Sequence, residues 1–158
     1  MISKMKLREL ILTISGFAAI ILICILVSYL ESRKPEIEIM RSIAGVNIYN
    51  EKRTLADLLQ FNYRTPTNYI LTCSLQSDGN QTNITDYYKK CLENTGWKFT
   101  GESKNIDHSS NSKIGESFSF EKGIYKLELY FKTQDLYDYE KGGGKILLKY
   151  SVAIYPEA

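Results

Sequence analysis

Residues Tyr69–Phe99 read YILTCSLQSDGNQTNITDYYKKCLENTGWKF, and two hydrophobic periods within them decide the fold class. Tyr69, Leu71, Cys73 and Leu75 alternate with Ile70, Thr72, Ser74 and Gln76, the period of two that lays one side of a strand on a core. Asp78-Gly79-Asn80 then supplies turn chemistry. Asn83 is placed to cap a helix with Asp86 three residues on, and Ile84, Tyr88, Cys91, Leu92 and Thr95 recur at helical spacing. Gly96 suits the left-handed residue that ends a helix, and Trp97, one residue further, is placed to cover Leu92 in a Schellman ending. Alternation resumes at once, with Trp97 and Phe99 on one side and Lys98 and Thr100 on the other.

The C-terminal part continues the strand period. Phe118 and Phe120 lead to a turn at Lys122-Gly123, after which Tyr125, Leu127, Leu129 and Phe131 alternate with Lys126, Glu128, Tyr130 and Lys132. A last strand places Ile146, Leu148, Tyr150, Val152 and Ile154 on one face. The Ser- and Asn-rich segment Asn105–Lys113 and the segment Thr133–Lys145, which ends in three glycines, read as loops. Towards the N-terminus, Thr54 with Asp57 marks a short helix carrying Leu55, Leu58 and Leu59, which must end before Pro66. Residues 36–50 fit neither period and read as extended. These elements predict an α+β domain, an antiparallel sheet of about four to five strands covered by one main helix.

Ahead of this domain stands Leu10–Leu30, 21 residues without a charge. As a helix this run is long enough to cross about 30 Å of hydrocarbon. Its length, and the lack of a small-x-small site at Val27–Glu31, favour a retained transmembrane helix over a cleaved signal peptide. Leu22 and Ile23 stand where a lipoprotein signal ending at Cys24 would need small residues. The expected organisation is a basic cytoplasmic tail over residues 1–9, a membrane helix over 10–30, a polar linker over 31–36 that leaves the helix at Pro35, and an extracytoplasmic domain over 37–158. Lys4, Lys6 and Arg8 set that orientation under the positive-inside rule. The tail also accounts for the net charge of +2. The neutral domain argues against nucleic acid, which is met by a basic face.

Few residues carry chemistry. Cys73 and Cys91 fall on the core faces of consecutive elements and leave two readings open. One is a disulfide closing a loop of about 18 residues and contributing about 3 kcal/mol in an oxidising compartment. The other is a pair of buried free thiols. The spacing is not that of a Cys-x-x-Cys redox pair. His108 lies alone in a polar loop, short of a zinc set, and Asp135–Glu140 lacks the order of a calcium loop. Asn80 and Asn83 both begin glycosylation acceptor patterns. Tyr130, Tyr137 and Tyr139 are the tyrosines least tied to apolar stripes and are candidate surface contacts. No constellation of Asp, Glu, Ser or His reads as a catalytic centre, so the expectation is a non-enzyme without cofactor or metal.

Residues 67–100, and above all Tyr87–Phe99 with its helix-Gly-Trp-strand pattern, resemble uncharacterised bacterial membrane-anchored or lipoprotein-like proteins. The resemblance implies a small extracytoplasmic α+β domain and no activity, since Leu92, Gly96 and Trp97 are structural positions. A second resemblance is to type IV pilin-like proteins, which join a basic leader, an apolar helix and an α+β head. Glu9 stands five positions into the segment that begins at Met5, as the pilin glutamate does, whereas Lys4 replaces the glycine that the leader peptidase needs. The functional expectation is an envelope accessory or immunity-type binding protein. It would be held in the bilayer through residues 10–30 and engage an envelope protein partner, with a pilin-like assembly subunit as the alternative and an envelope enzyme as the rival class.

Overall fold

The computed structural model describes residues 4–63, 69–107, 109–110, 112–143 and 145–157; His108 and Pro66 lie outside them. The chain divides into two compact units, Met1–Glu38 and Ile39–Ala158.

The first unit is helical. Helix α1 spans Lys4–Ile43 and so runs on into the second unit. This corrects the expected helix end at Leu30, the linker over 31–36 and the extended reading of residues 36–43. A proline inside a helix loses one hydrogen bond and costs about 3 kcal/mol, but the turns after Pro35 are held by tertiary burial, since Met40 and Ala44 are fully enclosed in the second unit. Local chemistry predicted a stop where packing keeps the helix going. Every described side chain from Leu12 to Ser28 is exposed. Among the described residues no helix is long and apolar enough to cross a membrane. The described side chains of the uncharged run cover about 25 Å of helix, less than the hydrocarbon core, so the transmembrane expectation is not supported by the fold itself.

The second unit is α+β. A short helix α2, Leu55–Leu58, precedes strands β1, Gln60–Tyr63, and β2, Tyr69–Ser77. Helix α3, Gln81–Asn94, leads to β3, Lys98–Asp107, β4, Ser112–Lys122, and β5, Tyr125–Lys132. Helix α4, Thr133–Lys141, connects to β6, Leu148–Pro156. The six strands form one sheet in the order β1-β2-β6-β5-β4-β3, with every neighbouring pair antiparallel. The last strand thus inserts between β2 and β5. Across β2, β6 and β5 the register lines up Leu71, Ile154 and Leu127 in one row and Cys73, Val152 and Leu129 in the next, with Leu75 beside Tyr150, and all of these side chains are buried. Ile84, Tyr88 and Leu92 of α3 are buried with them.

Three local details differ from the sequence reading. The cap of α3 is Asn80, whose side chain accepts from the Asn83 backbone N–H at 2.8 Å, so Asn83 lies inside the first turn rather than before it. An Asn at either position suits a cap, and the turn at Asp78-Gly79 settles the choice three residues earlier. The segment Asn105–Lys113 is not a long loop, because β3 and β4 run almost to its tip. There the Asp107 carboxylate accepts from the Ser109 N–H and hydroxyl and from the Ser110 hydroxyl, which hold it below the usual carboxylate range. The segment Thr133–Lys145 contains α4.

The end of α3 is a Schellman turn. Gly96 has φ of +88°, its N–H donates to the Glu93 carbonyl, and the Trp97 N–H donates to the Leu92 carbonyl. Trp97 is fully buried, and its indole Nε1–H donates to the Ile43 carbonyl at 3.0 Å, satisfying a carbonyl at the end of α1. Trp97→Phe keeps most of the apolar burial and leaves that carbonyl without its donor. The expected loss is about 1–2 kcal/mol, read as a lower urea midpoint at unchanged slope.

Cys73 and Cys91 are both free and not at bridging distance, which corrects the disulfide reading. The ring of Tyr88 takes the core position beside Cys73, and Cys91, about 60° further round the helix, turns to the half-buried flank beside Tyr87. Burial pushes the Cys73 thiol up to about 12. Tyr88 and Tyr150 share a buried hydroxyl contact at 3.2 Å, and burial raises both phenols, Tyr150 to about 12. Their neutral forms are favoured in the fold, so this stabilisation is complete below the unfolded tyrosine pKa near 10 and is lost as pH rises through about 12. The expected result is a urea midpoint that falls between about pH 10 and 12, and a fall that Tyr150→Phe makes shallower.

Candidate functional site

The sheet has two unlike faces. Opposite the apolar core face, the register aligns Ser74, Ser151, Tyr130, Ser117 and Ser103 in a single row across five strands. In the next row Gln76 stands beside Lys149, and Gly115 beside both Lys132 and Asn105. Strand alternation forces this arrangement: once the apolar positions are buried, every intervening hydroxyl and ammonium shares the other face. Helix α4 begins where β5 ends and contributes Asp135. Together Ser74, Gln76, Tyr130, Lys132, Asp135, Lys149 and Ser151 line a hollow of about 180 Å³.

Two lysines face one carboxylate in this hollow, and neither Lys132 nor Lys149 has an ion-pair partner among the described residues. Hydroxyl and amide groups stand between them. Such a surface suits a small anionic group or an acidic side chain, held by charge and oriented by hydroxyl hydrogen bonds. No set of three or more His, Cys, Asp or Glu converges as a metal site among the described residues.

The three candidate tyrosines have different roles. Tyr130 is half-buried at the edge of the hollow, its ring against Gly115 and its hydroxyl donating to the Ile114 carbonyl at 3.3 Å. Tyr139 is tied down by a bond from its hydroxyl to the Asp78 carbonyl at 3.0 Å, joining α4 to the turn after β2. Tyr137 is 55% exposed, with the Lys141 ammonium 5.7 Å from its ring centre. Sequence reasoning named Tyr130 but missed Lys132, Lys149, Ser74 and Ser151 as its companions. The alternation that placed them opposite the core was visible; the strand order that brings β2, β6 and β5 side by side was not. The structural positions Leu92, Gly96 and Trp97 lie at the end of α3, away from this face, and Asn83 lies at its start.

No family model, curated protein or solved structure matches the chain, so any functional reading rests on its own residues.

Gly115 holds the hollow in shape. A Cβ at this position would run into the Tyr130 ring and the Phe131 carbonyl, which cannot both yield. Gly115→Ala is expected to cost about 1–3 kcal/mol and to move Tyr130, seen as shifted Tyr130 ring resonances with the Trp97 signals unchanged.

Proposed function

We propose that the chain is a non-enzymatic, single-pass membrane-anchored binding module with its α+β unit outside the membrane. It serves as an accessory or immunity-type component of a bacterial envelope and engages an envelope protein partner through an anionic group at the Lys132–Lys149 hollow. The observation that supports the anchor most strongly is the side-chain character of α1. From Leu12 to Ser28 the helix presents Leu, Ile, Phe, Val and Ala in all directions, with Phe17 65% and Leu22 71% exposed. A helix apolar on all sides needs lipid or protein around it. The uncharged run continues over residues 10, 11, 29 and 30, which completes the length of a span. Lys4, Lys6 and Arg8 favour a tail left on the cytoplasmic side.

A pilin-like assembly subunit is the second reading, and the continuous 40-residue helix favours it, because such subunits carry an apolar helix straight into the head. The two readings differ in what covers the apolar side chains. In the anchored module lipid covers Cys24; in an assembly another copy does.

Cells expressing the full chain are fractionated and the membranes washed with alkaline carbonate. The anchored reading expects the chain in the membrane pellet, no oxidative cross-linking through Cys24, and partner co-purification that falls about tenfold in Lys132→Glu/Lys149→Glu. Recovery in the carbonate supernatant sinks the anchor. Cys24-linked dimers replace the single anchored module with the assembly subunit.

A further inference from the structure

A second concavity lies on the other side of the sheet, where α3 parts from β3 and β4. It measures about 270 Å³ and is lined by one flank of α3, including Thr85, Asp86 and Lys89, and by Glu102, Glu116 and Phe118 of the sheet. Its chemistry is unexpected for its place. Glu102 stands directly beside Phe118 in the register, and Glu116 beside Phe131, so both carboxylates occupy strand positions whose neighbours belong to the core. A helix packed over this part of the sheet would normally meet an apolar seam.

The groups in the cleft are unequally satisfied. Glu116 accepts from the Lys113 ammonium and the Gln81 amide, which lower its pKa. The Lys89 ammonium lies over aromatic faces, 4.3 Å from the centre of Phe99 and 5.9 Å from that of Phe118. The carboxylates of Asp86 and Glu102 have no hydrogen-bond or ion-pair partner among the described residues. Thr85 is 3% exposed, and its Oγ1 is buried without any partner. A buried hydroxyl left unpaired costs about 1–3 kcal/mol. Its position in a cleft with two unpaired carboxylates is the independent sign that a further group belongs there.

We propose that this cleft binds an organic cation, a guanidinium or primary ammonium group on a short alkyl stem. Glu116 is neutralised by Lys113 and felt by Lys104, and Lys89 is held over the rings, so the two carboxylates left unpaired, Asp86 and Glu102, favour a cation over an anion. The carboxylates do not converge as a metal set among the described residues, so the cation's own N–H groups must span the gap between them. The head group donates to Asp86 and Glu102, Thr85 Oγ1 supplies a further acceptor, and the stem lies along Phe118. The volume is below the roughly 300–1,000 Å³ of sites for larger ligands, which fits a single side-chain-sized cation. The same chemistry is offered by a free alkyl cation and by an Arg or Lys side chain of another protein. The site lies across the sheet from the Lys132–Lys149 hollow and does not depend on it or on the anchor.

The full chain in detergent micelles, with backbone amides followed by NMR, is titrated with butylguanidinium, with the capped tripeptide Ala-Arg-Ala, and with butanol as the neutral control. Amides of α3 and of Glu102–Glu116 are expected to shift with the cations and not with butanol. Glu102→Gln and Asp86→Asn, both at exposed positions, are expected to weaken binding at least about fivefold each, and Thr85→Val about threefold, magnitudes ordinary for single hydrogen-bond partners. Unchanged Trp97 resonances certify the fold of each variant. Tripeptide binding about tenfold tighter than butylguanidinium assigns the site to a protein side chain; equal or weaker binding assigns it to a free cation. Absence of shifts with both cations, shifts matched by butanol, or affinity unaltered in Glu102→Gln and Asp86→Asn overturns the proposal.

Discussion

The hydrogen bond from Trp97 Nε1 to the Ile43 carbonyl ties three elements at one point: the end of α1, the end of α3 and the start of β3. The indole can reach Ile43 only because Gly96 takes a left-handed conformation and reverses the chain within two residues. Any residue with a Cβ is disfavoured there by about 1 kcal/mol or more, so the turn depends on glycine. The burial of Trp97 beside Leu92 then fixes where α3 stops and where β3 begins. The phase of β3 follows from that start. Phe99 pairs with Phe120 across the β3–β4 register, and a bulge before Gly101 resets the strand so that Glu102 falls beside Phe118. A helix-ending turn therefore determines which residues line the cleft beneath α3.

The second constraint is strand alternation carried across six strands. With Leu71, Val152 and Leu129 in register on the core face, the serines and lysines between them have one place to go. The two concavities are products of the same periodicity, one on each face. The outer hollow forms where α4 rises from the end of β5 and gives a flat polar face a wall. The inner cleft forms where α3 fails to cover β3, an edge strand whose side chains are largely exposed. Bulges at both ends of the unbroken stretch Gly101–Asn105, together with Lys98 and Lys104, discourage sheet extension at that edge.

Legibility in the sequence followed the strength of the apolar pattern. Strands β2, β5 and β6 and helix α3 were readable because their burial is one-sided and their residues repeat at the matching period. Helix α4 was not, because it buries no residue and Asp135–Lys141 carries no apolar stripe to distinguish it from a polar loop. The outer half of the β3–β4 hairpin is Ser- and Asn-rich and solvent-exposed, so its pairing rests on backbone bonds that leave no mark on composition. The edge strand β1 is only four residues long. Helix continuation through Pro35 ran against a sound local rule, and the burial of Met40 and Ala44 that overrides it is a tertiary fact. Of the outer hollow, Tyr130 was legible as a surface residue. Its pairing with lysines from β5 and β6 required the insertion of the last strand, which no periodicity records.

The free state of Cys73 and Cys91 changes the physical logic that links the compartment to the fold. A bridge would have made stability depend on oxidation. Without one, Cys73 is simply an apolar side chain packed beside Val152 and Tyr88, with its thiolate suppressed by burial. A thiol whose pKa lies near 12 offers almost no nucleophilic thiolate near neutral pH, so it resists oxidation even where oxidants are present. The α+β unit is therefore held by its apolar core and its backbone pairing, and these are indifferent to redox conditions. With both thiols free, the pairing of Cys73 and Cys91 carries no information about the compartment in which the unit folds.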